Sequence, residues 1–151
     1  MILAQPDQLK DVMKIFRKYK DIFPHVRSDN ILEYIKKDCV VYENGCVITF
    51  GRYKRNILLG DVEILRGSYI LHQIVVDEQG TGKAKQILEK FISYINGDIY
   101  LTVREDNLRA RHFYEKYGFK QVGKINWKSG TINGLIYVNN KKADLDVFFT
   151  N

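Results

Sequence analysis

The stretch Gln79-Gly80-Thr81-Gly82-Lys83-Ala84 lies between an apolar run, Tyr69–Val76, and a segment whose apolar residues have helical spacing. The apolar run predicts a buried strand, and the two glycines allow a tight turn into the helix. Backbone N–H groups in the first turn of a helix bind anions, a pyrophosphate in particular. The stretch therefore predicts either a phosphate-binding loop or a glycine turn that holds no ligand.

Two common phosphate loops do not match this stretch. A P-loop needs glycine at the position of Asp77 and serine or threonine at the position of Ala84. A dinucleotide-binding fingerprint that begins at Gly80 needs glycine or alanine where Lys85 stands. Both nucleotide-binding motifs are therefore excluded.

A second motif follows one predicted helix and one predicted strand later. Residues 101–119 read LTVREDNLRARHFYEKYGF, in which a strand precedes a helix that Asp106 or Asn107 caps and Gly118 ends. Together with Gln-x-x-Gly-x-Ala, this segment resembles the Gcn5-related N-acetyltransferase (GNAT) family. The second motif matches the family's spacing at five positions: Asn107, Ala110, Tyr114, Gly118 and Phe119.

The other segments are consistent with a single α/β domain of the α+β type over residues 1–151. We expect a mixed, mostly antiparallel central sheet flanked by helices, and the resemblance implies a parallel strand pair that splays to form the acyl-CoA cleft. The predicted helices are Leu9–Tyr19, a helix with Ser28 as its N-cap, the helix after Gly82 and the helix after Asn107. The predicted strands are Cys39–Tyr42 and Cys46–Tyr53 around an Asn44-Gly45 hairpin turn, Ile57–Leu65, Tyr69–Val76, Ile99–Val103, Phe119–Trp127, Ile132–Val138 and Leu145–Phe149.

The resemblance also implies a reaction, in which a neutral amine attacks the thioester carbonyl of acetyl-CoA directly. It implies that backbone groups of a strand end pair with pantetheine and that one amide, of Ile74 or Val76, donates to the carbonyl oxygen. Lys83, Lys85 and Arg109 are expected to add positive charge for the cofactor phosphates. The residues that the resemblance assigns to the cofactor are Ile74, Val75, Val76, Gln79, Gly80, Thr81, Gly82, Lys83, Ala84, Asn107, Ala110 and Tyr114.

Tyr114 is the general acid that the resemblance implies. Asn107 and Tyr114 are seven residues apart, so they share one helical stripe and are separated by about 10.5 Å along the axis. A phenol with a pKa near ~10 is protonated at neutral pH and can supply a proton to a departing thiolate. The alternative is a core aromatic residue beside Phe113 and Tyr117.

The general base is less well defined by the sequence. Related enzymes that acetylate protein N-termini often have glutamate where this chain has Thr102. His72 precedes Ile74 by two residues and shares its strand face, which makes it the first candidate for the base, although a histidine in such a position is more often structural. Glu63, Glu105 and a chain of water molecules are the alternatives.

Composition sets the remaining expectations. Lysine and arginine outnumber aspartate and glutamate by 24 to 18, which leaves a net charge of +6. We expect an acceptor that is a small-molecule or protein amine, and keep a nucleic-acid-borne amine such as aminoacyl-tRNA and a non-catalytic acyl-CoA-binding module as alternatives. Residues 1–7 show no signal-peptide pattern, so a cytoplasmic location without membrane attachment is expected. The protein is expected to be a monomer or a homodimer. Cys39, Cys46, His25 and His112 lack the spacing of metal ligands, so no metal is expected.

Overall fold

The computed structural model describes residues 1–140. The helices, after a 3-10 turn at Pro6–Gln8, are α1 (Leu9–Lys18), α2 (Ser28–Lys36), α3 (Lys83–Tyr94) and α4 (Leu108–Lys116). The strands are β1 (Val40–Glu43), β2 (Cys46–Arg52), β3 (Ile57–Leu59), β4 (Val62–Ile64), β5 (Tyr69–Val76), β6 (Ile99–Arg104), β7 (Lys120–Trp127) and β8 (Ile132–Asn139). The predicted strand Leu145–Phe149 lies outside the described residues.

The larger sheet has six strands in the hydrogen-bonded order β1-β2-β5-β6-β8-β7, and β3 and β4 form a separate two-stranded sheet. The pair β5–β6 is parallel, with Tyr69 opposite Ile99 and Ile70 opposite Tyr100. The pairs β1–β2, β6–β8 and β7–β8 are antiparallel. This arrangement confirms the predicted mixed, mostly antiparallel sheet with one parallel pair.

The chain divides into two compact units, the first comprising Met1–Gly51 with Leu71–Tyr94 and the second Arg52–Ile70 with the residues from Ile95 onward. The prediction of a single domain stays a prediction. No helix within residues 1–140 combines the length and the apolar character that a membrane crossing requires.

The first unit is built on α1, α2 and the β1–β2 hairpin. Leu9, Val12, Met13 and Phe16 have helical spacing, and the last three are buried together with Ile31 and Ile35 of α2. Asn44 and Gly45 have φ angles of +51° and +71°, and Glu43 lies opposite Cys46. Two consecutive positive φ angles match the type I′ turn that Asn-Gly predicts, so the hairpin is confirmed.

The second unit is built on β6, β8 and β7. β8 pairs with β6 on one side and with β7 on the other, and its residues Leu135–Tyr137 are buried. The register of β7 shifts between Gln121 and Gly123, so β7 contains a bulge. Gly118 ends α4 with a φ angle of +91°, a conformation that favours glycine.

Two predicted boundaries are wrong. The segment Ile57–Leu65 is not one strand but the hairpin β3–β4, because the chain turns at Gly60, whose φ angle is +55°. Ser28 is the first residue of α2 rather than its N-cap, which is Arg27 in an extended conformation.

Candidate active site

The turn between β5 and α3 has an open surface. Gly80 and Gly82 have φ angles of +78° and +81°, and apart from the glycine itself and its two chain neighbours no atom of residues 1–140 lies within 4 Å of a Cβ built at either position. The hydroxyl of Thr81 donates to the carbonyl oxygen of Glu78 at 3.1 Å. The amide of Gln86 donates to the carbonyl oxygen of Gly82 at 3.1 Å. The amides that precede Gln86 in the first turn of α3 have no preceding turn of helix whose carbonyl oxygens could accept their hydrogen bonds. The turn can therefore accept an anion on its backbone.

The side chain of Lys83, the first residue of α3, forms an ion pair with another residue of the protein. Its ammonium donates to Oδ1 of Asp77 at 2.9 Å. This hydrogen bond is the main reason that the pKa of Asp77 is lowered and the pKa of Lys83 is raised. Lys83 was expected to serve the cofactor phosphates, and the structure gives its side chain a partner inside the protein.

The end of β5 has the side-chain arrangement that the sequence predicts. The side chains of Val75 and Val76 are buried, and Ile74 is half-buried. Apolar side chains of this kind contribute packing, so the polar groups that this strand end offers to a cofactor are those of its backbone.

His72 lies on a more open part of β5 than the sequence predicts. The residue is exposed, whereas Leu71 beside it is buried, so the prediction that Tyr69–Val76 is a buried strand is wrong at His72. The centroid of its imidazole lies 5.5 Å from the ring centroid of Tyr34 in α2. Protein atoms on that side displace water, and this partial desolvation lowers the pKa of His72, which favours the neutral imidazole. The alternative bases Glu63 and Glu105 are both exposed.

In the second unit, Asn107 is the N-cap of α4. Its Oδ1 accepts a hydrogen bond from the amide of Ala110 at 3.2 Å. The neighbouring Asp106 instead forms an exposed ion pair with Arg104, at 3.0 Å. The sequence left the cap open between these two residues, and the structure identifies Asn107.

Tyr114 lies on α4 in an aromatic cluster. Its ring centroid is 5.4 Å from that of Phe113 and 5.5 Å from that of Phe119. Burial of the phenol raises the pKa of Tyr114 to about 12. The hydroxyl is therefore a weak acid that keeps its proton far above neutral pH.

Polar contacts that the sequence did not indicate attach α4 to β8. The hydroxyl of Tyr137 donates to Oε1 of Glu115 at 2.8 Å and accepts from Nε of Arg111 at 3.3 Å. The side-chain amide of Asn139 donates to the carbonyl oxygen of Tyr117 at 3.3 Å. Tyr137 was predicted only as part of an alternating strand, and strand alternation does not reveal hydrogen-bond partners.

The segment Lys20–Arg27, between α1 and α2, contributes residues to the lining of two cavities of the first unit. One has a volume of about 360 Å³ and is lined by residues that include Phe16, Arg17 and Phe23. The other has a volume of about 370 Å³ and is lined by polar groups that include Tyr34 and Gln73. In the second unit, Trp127–Thr131 covers the turn between β7 and β8.

Neither cysteine is arranged for catalysis or metal binding within the described part of the chain. Cys46 is a buried free thiol, and its Sγ lies 3.6 Å from the carbonyl oxygen of Asn44. Burial raises the pKa of the Cys46 thiol, which disfavours the nucleophilic thiolate. Among residues 1–140, no group of three or more His, Cys, Asp or Glu side chains is positioned to hold a metal ion.

Comparison with solved structures shows related folds at low sequence identity. Ard1 from Thermoplasma volcanium is 20% identical with a TM-score of 0.70, and the match covers 91% of this chain and 94% of that chain. The ribosomal-protein-S18-alanine N-acetyltransferase from Escherichia coli is 17% identical with a TM-score of 0.54, over 76% and 77% of the two chains. The acetyltransferase yncA from Salmonella typhimurium, solved with its cofactor acetyl-CoA, is 15% identical with a TM-score of 0.65, over 91% of both chains.

The sequence comparisons identify the family. No curated protein gives a match to the sequence. Residues 28–139, well over half of the chain, match the family described as Acetyltransferase (GNAT) domain. That range contains both motifs on which the resemblance rests, the glycine turn before α3 and the segment from Asn107 to Phe119. The chain therefore belongs to the GNAT acetyltransferase family and is an acetyl-CoA-dependent N-acetyltransferase.

Proposed function

We propose that this acetyltransferase acts on a primary amine of a small molecule or of a protein, which attacks the thioester of acetyl-CoA directly. The observation that carries the proposal is the open glycine turn before α3, where a Cβ built at Gly80 or Gly82 would have open space around it. Amides at the start of a helix, together with the helix dipole, suit the pyrophosphate of the cofactor.

The cofactor contacts form two sets in this proposal. In the first unit, Gln79–Ala84 bind the pyrophosphate through their amides, and the backbone of Ile74–Val76 pairs with the pantetheine arm. In the second unit, Asn107 and Ala110 at the start of α4 contact the cofactor. The cap hydrogen bond between Asn107 and Ala110 is compatible with this role, because an asparagine side chain also carries two N–H donors.

Two side chains carry the proton transfers in this proposal. Tyr114 donates its proton to the departing thiolate, a role for which its phenol is available because its raised pKa keeps it protonated at neutral pH, and the resulting phenolate regains a proton from solvent. His72 accepts the proton of the attacking amine, and its lowered pKa supports this role because the neutral imidazole is the proton acceptor.

The acceptor is proposed to contact the Lys20–Arg27 loop and the Trp127–Thr131 turn. Two cavities along that loop support the first of these contacts. The name of the Escherichia coli enzyme with a similar fold, which acts on an alanine of a ribosomal protein, supports a protein amine as one acceptor class. The polar cavity beside Tyr34 and Gln73 is also of a size that admits a small metabolite.

The experiment is to incubate the protein with isotope-labelled acetyl-CoA and a cell extract, and to identify the labelled species by mass spectrometry. We expect label on small amines or on protein amines. A parallel sample treated with ribonuclease tests the alternative acceptor, because label that disappears with RNA indicates aminoacyl-tRNA. Cleavage of the thioester without transfer of label to any amine would contradict the proposal.

A further inference from the structure

Asp77, the first residue after β5, forms hydrogen bonds with three other elements of the first unit. Its amide donates to the carbonyl oxygen of Gly45 in the β1–β2 turn at 2.8 Å. Its carbonyl oxygen accepts from the ammonium of Lys18 and, at 3.3 Å, from the hydroxyl of Tyr19 at the end of α1. Its carboxylate accepts from Lys83, the first residue of α3, at 2.9 Å.

The carboxylate also packs closely against the hairpin turn. A Cβ built at Gly45 would lie 2.1 Å from Oδ2 of Asp77, far inside van der Waals contact. Because Gly45 has no side chain and a φ angle of +71°, the turn leaves the space that the carboxylate occupies. Asp77 is therefore fixed on its backbone and on its side chain.

The glycine turn that follows has few packing contacts at its two glycines. Gly80 and Gly82 both have positive φ angles and empty space at the Cβ position, so neither packing nor a side chain restricts them. The Asp77–Lys83 ion pair spans this turn, since Asp77 directly precedes Glu78 and Lys83 directly follows Gly82. Closing a flexible loop at both ends lowers the entropy that it loses when it binds a ligand.

We infer that Asp77 is a positioning residue for the cofactor: through Lys83 it sets the direction of the amides between Gly80 and Ala84. The inference rests on the proposed binding of the acetyl-CoA pyrophosphate by these amides. Lys83 then acts through its ion pair with Asp77 rather than as a phosphate ligand.

The competing role of Lys83 predicts an effect of opposite sign. If Lys83 bound a phosphate directly, Asp77 would compete with the phosphate for the ammonium. Replacement of Asp77 by asparagine would then release Lys83 and strengthen binding of the cofactor. The affinity of the Asp77→Asn variant for CoA therefore separates the two roles.

The experiment measures the affinities of CoA and 3′-dephospho-CoA by calorimetry for the wild type, Asp77→Asn, Lys83→Met and the double variant. We expect about tenfold weaker binding of both ligands in each single variant, because both ligands contain the pyrophosphate. We expect the double variant to match the single variants, since either change already breaks the same ion pair. Lys83→Met keeps Asp77 in place, so it provides the test if Asp77→Asn does not fold.

Glu43→Gln is the matched control. Glu43 forms an ion pair with Lys90 at 3.3 Å, which also links the β1–β2 hairpin to α3 but lies two turns beyond the glycine turn. CoA affinity in this variant is expected to equal that of the wild type. Thermal melting of every variant shows whether a loss of affinity occurs at unchanged stability.

Three results would overturn the inference. They are unchanged or tighter CoA binding in Asp77→Asn, additive losses in the double variant, and an equal loss in Glu43→Gln. A wild-type protein that binds no CoA would instead refute the proposed function, and the inference would fall with it.

Discussion

The phenol of Tyr114 is the group whose removal tests the proposed chemistry most directly. Tyr114→Phe keeps the ring contacts with Phe113 and Phe119 and removes only the hydroxyl. Turnover is expected to fall by about 10²–10⁴-fold, the usual contribution of a general acid, while the affinity for CoA stays close to that of the wild type. The rate is measured by thiol release from acetyl-CoA with an amine acceptor identified in the labelling experiment.

Tyr117→Phe is the control for this variant, because Tyr117 directly follows the last residue of the same helix and its ring centroid is 5.1 Å from that of Phe113. It is expected to retain the wild-type rate. The reverse result would assign the acid to Tyr117, and two fully active variants would mean that water or the substrate protonates the thiolate.

The imidazole of His72 predicts a pH dependence. A base works in its neutral form, so kcat/KM is expected to be constant above the pKa of His72 and to fall as the pH drops through it. Because partial desolvation lowers that pKa, the midpoint of the fall is expected below the ordinary histidine value of about 6.5. His72→Gln is expected to be slower and to lack this acidic decline. A decline that persists in the variant would identify another base.

At single positions, the sequence predicted some features of the site and missed others. Asn107 was one of two candidate caps, because cap preference depends on the residue and its local spacing. The exposure of His72 was not predicted, since strand alternation tells which residues share a face but not what covers that face. The Asp77–Lys83 ion pair was also missed, because its formation depends on the path of the turn between the two residues.

Among the elements, the turn before α3 offers the sharpest test of cofactor binding. Gly82→Asp places a carboxylate where the pyrophosphate is proposed to bind, and a built Cβ at Gly82 meets no described atom within 4 Å. The variant is therefore expected to fold and to lose most of its affinity for CoA, because like charges repel at a site that binds through a helix dipole. Calorimetry with CoA measures the loss.

Gly67→Asp is the matched control, because Gly67 has a φ angle of +92° and an equally open Cβ position. It imposes a similar backbone strain and the same charge away from the turn, and its CoA affinity is expected to remain unchanged. An unchanged affinity in Gly82→Asp would refute the assignment of the pyrophosphate to this turn.

Elements with strong local signals were predicted best. The Asn44-Gly45 hairpin, β5 and the end of α4 at Gly118 follow from turn chemistry and apolar patterning. The segment Ile57–Leu65 was predicted as one strand because its apolar residues are nearly continuous. The structure divides it at Gly60, where an added Cβ would lie 2.2 Å from the carbonyl oxygen of Lys124, a contact distant in sequence.

For the whole molecule, the net charge of +6 does not determine the acceptor. A modest basic excess is compatible with polyanion binding and also with an ordinary soluble surface. The family and its cofactor could be predicted because their contacts depend on backbone and on short motifs. The acceptor could not, because it depends on side chains of the Lys20–Arg27 loop and the Trp127–Thr131 turn, which carry no recognisable motif.

The attachment of α4 by polar contacts has a consequence for exchange of its amide hydrogens with deuterium. No whole residue of α4 is fully buried, although the phenol of Tyr114 is desolvated, and the helix forms polar contacts with the hydroxyl of Tyr137 and the amide of Asn139 in β8. Segments with few buried contacts open first in the native state, so α4 amides are expected to exchange sooner than those of Leu135–Tyr137. Mass spectrometry of exchanged peptides measures the order, and equal protection of both segments would contradict it. The proposed general acid Tyr114 would then be carried by a helix that opens and closes many times while the strand beneath it remains intact.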